Sequence, residues 1–403
     1  MQKVADSERR ARLARRHALA PEHRATDVVE AARRMVCLHA TDPSTVYLSA
    51  WARVDDMAVA DLDAALYADR SLVKHMAMRR TLFVFPRDVL PFAQSGASLR
   101  VATAERARLI RDVEAAGLYR DGGRWLSRAS KQVLDALAEG RDASFAELRD
   151  ELRSMQGRIE VGKGKSWGGT MPVGPRVLTI LSAQGRIVRG PNDGRWTASR
   201  PRWAAAEHWL GAPLDAPSEA DGVAGLVERW LRAFGPGTEA DVKWWLGSTL
   251  TAVRRALADL GAVAVELESG ATGYLMPDDL EPVEPVEPWA ALLPPLDPTT
   301  MGWQERDWYL GPHRAHIFDT AGNAGATLWW DGRIVGGWFQ RDNGEVVLQL
   351  VEDVGADGVA ALEREAARLA DWLGGVRVLP RFPSPLSKSG GDGVKAAASA
   401  KRP

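Results

Sequence analysis

Cysteine occurs once in the 403 residues, at Cys37, which rules out an internal disulfide and any multi-cysteine metal site. A thiol in that apolar stretch is expected to be buried and inert rather than reactive. No run of about 18 apolar residues is present, so no membrane-spanning helix is expected. The opening MQKVADSERRARLARRHAL carries no apolar segment of the kind a secretion signal needs, and a cytoplasmic protein is expected. A nucleotide-hydrolysing P-loop is missing too. Gly164-Lys165-Ser166 matches its end, but Ile159 stands where the spacing requires a glycine, and no buried strand precedes it. Net charge is only −1, yet it is unevenly spread. Residues 1–24 hold Lys3, Arg9, Arg10, Arg12, Arg15, Arg16 and Arg24 against Asp6, Glu8 and Glu22, whereas residues 278–287 read DDLEPVEPVE. The arginines read equally well as a basic face for a polyanion or as the solvated side of a helix.

What is present is an ordinary globular composition, 45% hydrophobic and 26% charged, in a chain long enough for two to four modules. The most informative stretch is RRMVCLHATDPSTVYLSAWAR, residues 33–53. Apolar spacing of three and four predicts a helix from the Thr26-Asp27 cap through Leu38. Pro43 then disfavours helical geometry at Asp42, and a second helix is expected over 45–54. His39, Thr41 and Asp42 would therefore sit at a corner. There Asp42 reads either as a carboxylate available for chemistry or as the cap of the next helix.

Downstream, residues 72–76 and 81–85 predict paired strands around Met78-Arg79-Arg80, and the arginines suit either phosphates or solvent. Helices are expected over 98–116, 127–138, 144–152 (with Ser144 and Glu147 as a capping box) and 172–184. Residues 187–190 and 195–198 predict strands around the turn at 191–194. Between those helices a loop presents Lys163 and Lys165. A third set follows: helices over 222–234, 238–246 (Thr238 as cap, Asp241 at its third position) and 250–260, then a hairpin over 262–267 and 273–276. Past an extended acidic connector at 282–288, strands are expected over 291–293, 314–318, 326–330, 333–339 and 346–350, and a helix over 358–373. Helices followed by a small hairpin are the layout of a winged helix. The expected fold class is α+β: tandem winged-helix domains and then a small β-rich C-terminal domain. The expected boundaries are 1–120 with its basic first helix, 121–212, 213–281, 282–387, and a disordered tail at 388–403. His75, His313 and His316 show no carboxylate or cysteine partners of a metal site in sequence and are expected to be surface or strand-end histidines. Trp303, Trp308 and Tyr309 suit either base stacking or a core.

LHATDP with SAWARV, DRSLVKHMAMRRTLFVFP, AFGPGTEADVKWWLG and LPPLDPTTMGWQERDWYLGPH together resemble the winged-helix DNA-binding superfamily that contains the AlkZ-like bacterial DNA glycosylases. The resemblance covers about residues 25–386. It implies an array that wraps duplex DNA and a corner motif, Gln-X-Gln or Gln-X-Asp, that acts on the deoxyribose of an alkylated nucleotide. Here His39 and Thr41 stand at those positions. The implied catalytic set is His39, Thr41 and Asp42, and the implied DNA contacts are Arg79, Arg80, Lys163, Lys165, Arg195 and Arg381. Metal and cofactor are not expected, and the protein is expected to act as a nucleoid-associated monomer. Two main readings stand: a monofunctional glycosylase hydrolysing the N-glycosidic bond of alkylated or bulky purines, or a non-catalytic DNA-binding regulator or damage sensor. A small-molecule enzyme on a recycled scaffold is a third.

Overall fold

Helices start where the sequence supplies a cap. Asp27 accepts from the backbone N–H groups of Val29 and Glu30, while Ser144 with Glu147 and Thr238 with Asp241 close reciprocal capping boxes. The computed structural model describes residues 1–162 and 168–390. The chain packs as two units, one formed by 1–62 with 227–403 and the other by 63–226.

In the first unit, β1 (Lys3–Val4) lies parallel to Val263–Leu267, which pairs antiparallel with Thr272–Leu275. Then come α1 (Asp6–Arg16), α2 (Val28–Arg34), β2 (Leu38–His39) and α3 (Pro43–Trp51). A four-stranded antiparallel sheet is ordered Ala290–Leu293, Thr327–Trp330, Arg333–Gln340, Val346–Leu350, and the helix Gly355–Leu373 packs on it. Trp303 and Tyr309 are core residues. Trp303 lies 5.1 Å from Phe234 and 5.7 Å from His17, and Tyr309 stacks on Trp329 at 5.3 Å. Cys37 is buried.

Arg9 and Arg12 of α1 are buried, and Arg10, Arg15 and Arg16 are half-buried. Arg12, only 1% exposed, bonds Glu8, the Asp279 carboxylate and the Glu281 carbonyl. Arg16 forks onto Asp279 at 2.6 and 2.7 Å, and Arg15 reaches the Glu284 carbonyl. Arg10 donates to the Trp308 carbonyl, and Arg9 lies over the Trp308 ring. Within one unit, then, the Asp279 carboxylate pairs with Arg12 and Arg16, and backbone carbonyls of the same acidic stretch accept from Arg12 and Arg15.

In the second unit, strands Leu72–Ala77 and Thr81–Pro86 form the expected hairpin. The helices Gly122–Ala136, Phe145–Glu151 and Gly174–Ala183 surround a sheet ordered Asp142–Ser144, Pro201–Ala205, Ile187–Asn192. Trp125, Leu126, Val133, Leu148, Val177 and Leu181 belong to their shared core. Arg158–Val161 and Gly169–Pro172 make a separate hairpin.

Four expectations are corrected. The helix before the corner ends at Arg34, because Val36 takes a left-handed φ of +63° and the Cys37 N–H turns back onto the Met35 carbonyl. Arg195 is not on a strand. The Ala198 N–H bonds the Arg195 carbonyl and the Asp193 N–H bonds the Arg200 carbonyl, so 193–200 is a loop and the strand starts at Pro201. Residues 314–318 are not a strand either, since the Phe318 N–H bonds the Arg314 carbonyl and closes a turn of the helix Arg314–Ile317. Finally, the helix Pro385–Gly390 carries order past 388, where the tail was expected to begin.

Candidate active site

After Val36, the chain runs extended through β2 and turns at Ala40-Thr41 into α3, whose first residue is Pro43. Proline suits that position because its missing N–H would be unpaired there anyway. His39 is thus the last residue of a short strand, 8% exposed, and Thr41 is half-buried. The Thr41 N–H points at His39 Nδ1 over 3.4 Å.

Asp42 caps α3. Its Oδ1 accepts from the Ser44 N–H at 3.1 Å and the Ser44 hydroxyl at 2.7 Å. Its Oδ2 accepts from the Arg381 N–H at 2.9 Å. At 3% exposure, this carboxylate joins the corner to the segment around Arg381. Arg381 itself is exposed, with its guanidinium 5.8 Å from the Phe382 ring.

The corner is fixed from behind by one polar stripe on α3 and its C-terminal extension. Thr45, Ser49 and Arg53, four residues apart, fall on one face. Thr45 donates to the Pro295 carbonyl, and Ser49 donates to Asp297 Oδ2 at 2.7 Å. Arg53 forks onto both Asp297 oxygens at 2.7 and 2.9 Å and donates to Thr299 Oγ1 at 2.8 Å. Thr299 accepts from Arg53, so its own hydroxyl proton goes to His17 Nδ1 at 2.8 Å. His17 Nε2–H then donates to the Ala233 carbonyl at 3.1 Å. That assignment needs a neutral ring, and burial together with the Arg53 charge holds the His17 pKa well below its usual value. Reading the sequence missed His17, Ser49, Arg53, Asp297 and Thr299 as a set. The four-residue spacing on α3 was the one local signal available.

Four of the nine expected site residues, His39, Thr41, Asp42 and Arg381, belong to this first unit, where Asp42 ties the corner to Arg381. Arg79, Arg80 and Arg195 belong to the other unit. Arg79 and Arg80 occupy a hairpin turn at φ +54° and +61°, and Arg80 pairs with Glu105 at 3.2 Å. Arg195 is exposed in the loop 193–200. Lys163 and Lys165 lie outside the described residues. His313 bonds Glu352 at 2.9 Å. Among the described residues, no group of His, Cys, Asp or Glu is arranged to hold a metal ion, and no helix is long and apolar enough to cross a membrane.

No curated protein matches the chain by sequence. Among solved structures, the Streptomyces sahachiroi DNA glycosylase AlkZ superposes with a TM-score of 0.72 at 22% identity, over 95% of this chain and 99% of that one. At that identity the likeness establishes a shared fold. The model of the family described as "DNA glycosylase AlkZ-like" matches residues 32–372, most of the folded chain, and this chain therefore belongs to the AlkZ-like DNA glycosylases, a family of DNA-repair enzymes.

Proposed function

We propose that the protein hydrolyses the N-glycosidic bond of an alkylated or bulky purine in duplex DNA, with the His39-Ala40-Thr41 corner against the deoxyribose. The observation that carries this reading is the corner itself: two hydrogen-bonding side chains held at a strand-to-helix turn by the capped Asp42 and the network behind it. An N-alkylated purine is already cationic. As its bond to C1′ breaks, the bonding pair neutralises the base, so no strong general acid is required. Water adds to C1′ and sheds a proton to solvent. His39 and the Thr41 hydroxyl hydrogen-bond that water, which fixes its approach to the oxocarbenium-like sugar. Asp42 works through position, since hydrogen bonds from Ser44 and Arg381 already engage both of its oxygens.

Residues 122–205 run helix, strand, helix, helix, strand, strand, with the separate hairpin Arg158–Val161/Gly169–Pro172 inserted between the second and third helices and the first strand, Asp142–Ser144, beside the last. That order supports a winged helix, and we extend the reading to two further modules, one on each side in sequence, ahead of the β-rich C-terminal domain. Arg79, Arg80, Arg195, Arg381, Lys163 and Lys165 would neutralise phosphates, and the protein would act as a monomer on the nucleoid in the cytoplasm.

The test is base release from duplexes carrying N7-alkylguanine or N3-alkyladenine. His39→Ala is expected to slow release by roughly tenfold or more, the loss of a positioned water, while leaving DNA affinity unchanged. Release that is indifferent to His39→Ala would remove the proposed role of that residue. A wild-type protein that binds these duplexes tightly and releases nothing would favour the non-catalytic binder.

A further inference from the structure

Leu379, at 72% exposure, is the most exposed large apolar side chain among the described residues. A lone exposed leucine is ordinary on a protein surface, but this one stands on a segment that is fixed on both sides. Before it, the Val378 N–H bonds Gln340 Oε1 at 2.8 Å, Gln340 Nε2 bonds the Val376 carbonyl at 3.2 Å, and the Val378 side chain is buried. After it, the Arg381 N–H is held by Asp42, the residue that starts α3. Beyond that, the buried Ser384 accepts from the Ser387 N–H, and it packs so closely on Gly325 that a Cβ there would lie 2.3 Å from the Ser384 Cβ. Pro380 and Pro383 stiffen the backbone between these anchors. The chain thus spends an ordered, pinned segment on presenting one bare leucine and, two residues later, one exposed arginine, both tied to the corner through a single carboxylate.

We propose that Leu379 is a wedge that enters the base stack of duplex DNA beside the nucleotide held at the His39-Thr41 corner, while Arg381 grips the adjacent phosphate. The inference rests on reading that corner as the face that meets DNA. Its chemistry is general. A sugar in an intact stack is screened by its own base and its neighbours, and apolar side chains such as leucine open base steps by inserting between them. An arginine next to the wedge supplies the phosphate contact that keeps it in register. Asp42 is then a positioning residue that aligns wedge and corner.

The experiment uses the full chain and a duplex with a tetrahydrofuran abasic analogue opposite 2-aminopurine, whose fluorescence is quenched by stacking. Wild-type protein is expected to bind, measured by anisotropy, and to raise the fluorescence. Leu379→Ala, a surface change that leaves the core intact, is expected to bind and lose that rise, and Leu379→Phe to restore it. An equal rise with Leu379→Ala, no rise with bound wild type, or no binding by wild type would each overturn the wedge. Base release is scored separately on the lesion duplexes. A leucine-dependent rise without base release keeps the wedge and removes the glycosylase chemistry, whereas base release without the rise does the reverse.

Discussion

Three histidines of this chain show how little a residue's type says about its role. His17 and His75 are fully enclosed. Burial lowers the His75 pKa to about 4, with the Gln94 amide offsetting only part of that shift, and pushes His17 well below its ordinary value. Both rings are therefore neutral in the folded protein near pH 6, where the unfolded chain begins to take up protons. A depressed histidine pKa means that stability is full above about pH 6.5 and is lost as the pH falls toward the folded value. Between about pH 6 and 4 the His75 ring contributes a slope of about 1.4 kcal/mol per pH unit, and His17 acts in the same direction. Urea unfolding between pH 7 and 4.5 should show the combined slope, and His75→Leu should remove one increment. An unchanged slope would mean that His75 protonates without penalty in the folded state. His39, by contrast, was legible as a site candidate because Pro43 announces a corner three residues after Ala40. The fate of Asp42 was only half legible. Its capping of Ser44 is local, but its second oxygen is taken by Arg381, 339 positions away, and nothing near Asp42 in sequence encodes that partner.

At the scale of elements, α3 is the part on which the candidate site depends, and its anchorage is electrostatic. Arg53 and Asp297 are both fully buried and bonded two to two. Removing one member of such a pair strands the other charge, so Arg53→Met is expected to destabilise the protein by about 3–5 kcal/mol. Arg53→Met with Asp297→Leu should recover much of that loss, because no lone charge remains. Chemical denaturation of the two variants checks this, and a double variant no more stable than the single one would locate the loss in packing. Elements were readable where their signals were local: the caps at Asp27, Ser144 and Thr238, and the strands on either side of Arg79-Arg80. They were misread where the deciding feature was conformational. The apolar spacing of α2 continues to Leu38, but left-handed Val36 stops the helix. The turn at 191–194 looks sufficient for a hairpin, but the loop runs to Arg200 before the strands meet.

For the whole molecule, the two charged tracts were visible in sequence and their pairing was not. Segments about 265 positions apart in numbering share one unit, with Arg12 and Arg16 on Asp279. Arg12 and Arg16 thus have their charge met inside the unit by one carboxylate and are expected to contribute little to attraction for a polyanion. This separates two arginines that composition treats alike. Arg12→Ala should lower stability by about 2 kcal/mol, the loss of charge-assisted hydrogen bonds to partly buried Glu8 and Asp279, and it should leave the salt dependence of DNA binding unchanged in whatever protein remains folded. Arg381→Ala should do the opposite, with unaltered unfolding but a slope of log affinity against log salt reduced by about 0.9, the value of one lost phosphate contact. Anisotropy titrations from 50 to 200 mM salt measure both slopes. If the Arg12 variant flattened the slope as much as the Arg381 variant, the first helix would have to leave its acidic partner to meet DNA, and the internal pairing would become a competitor of the nucleic acid rather than a structural tie.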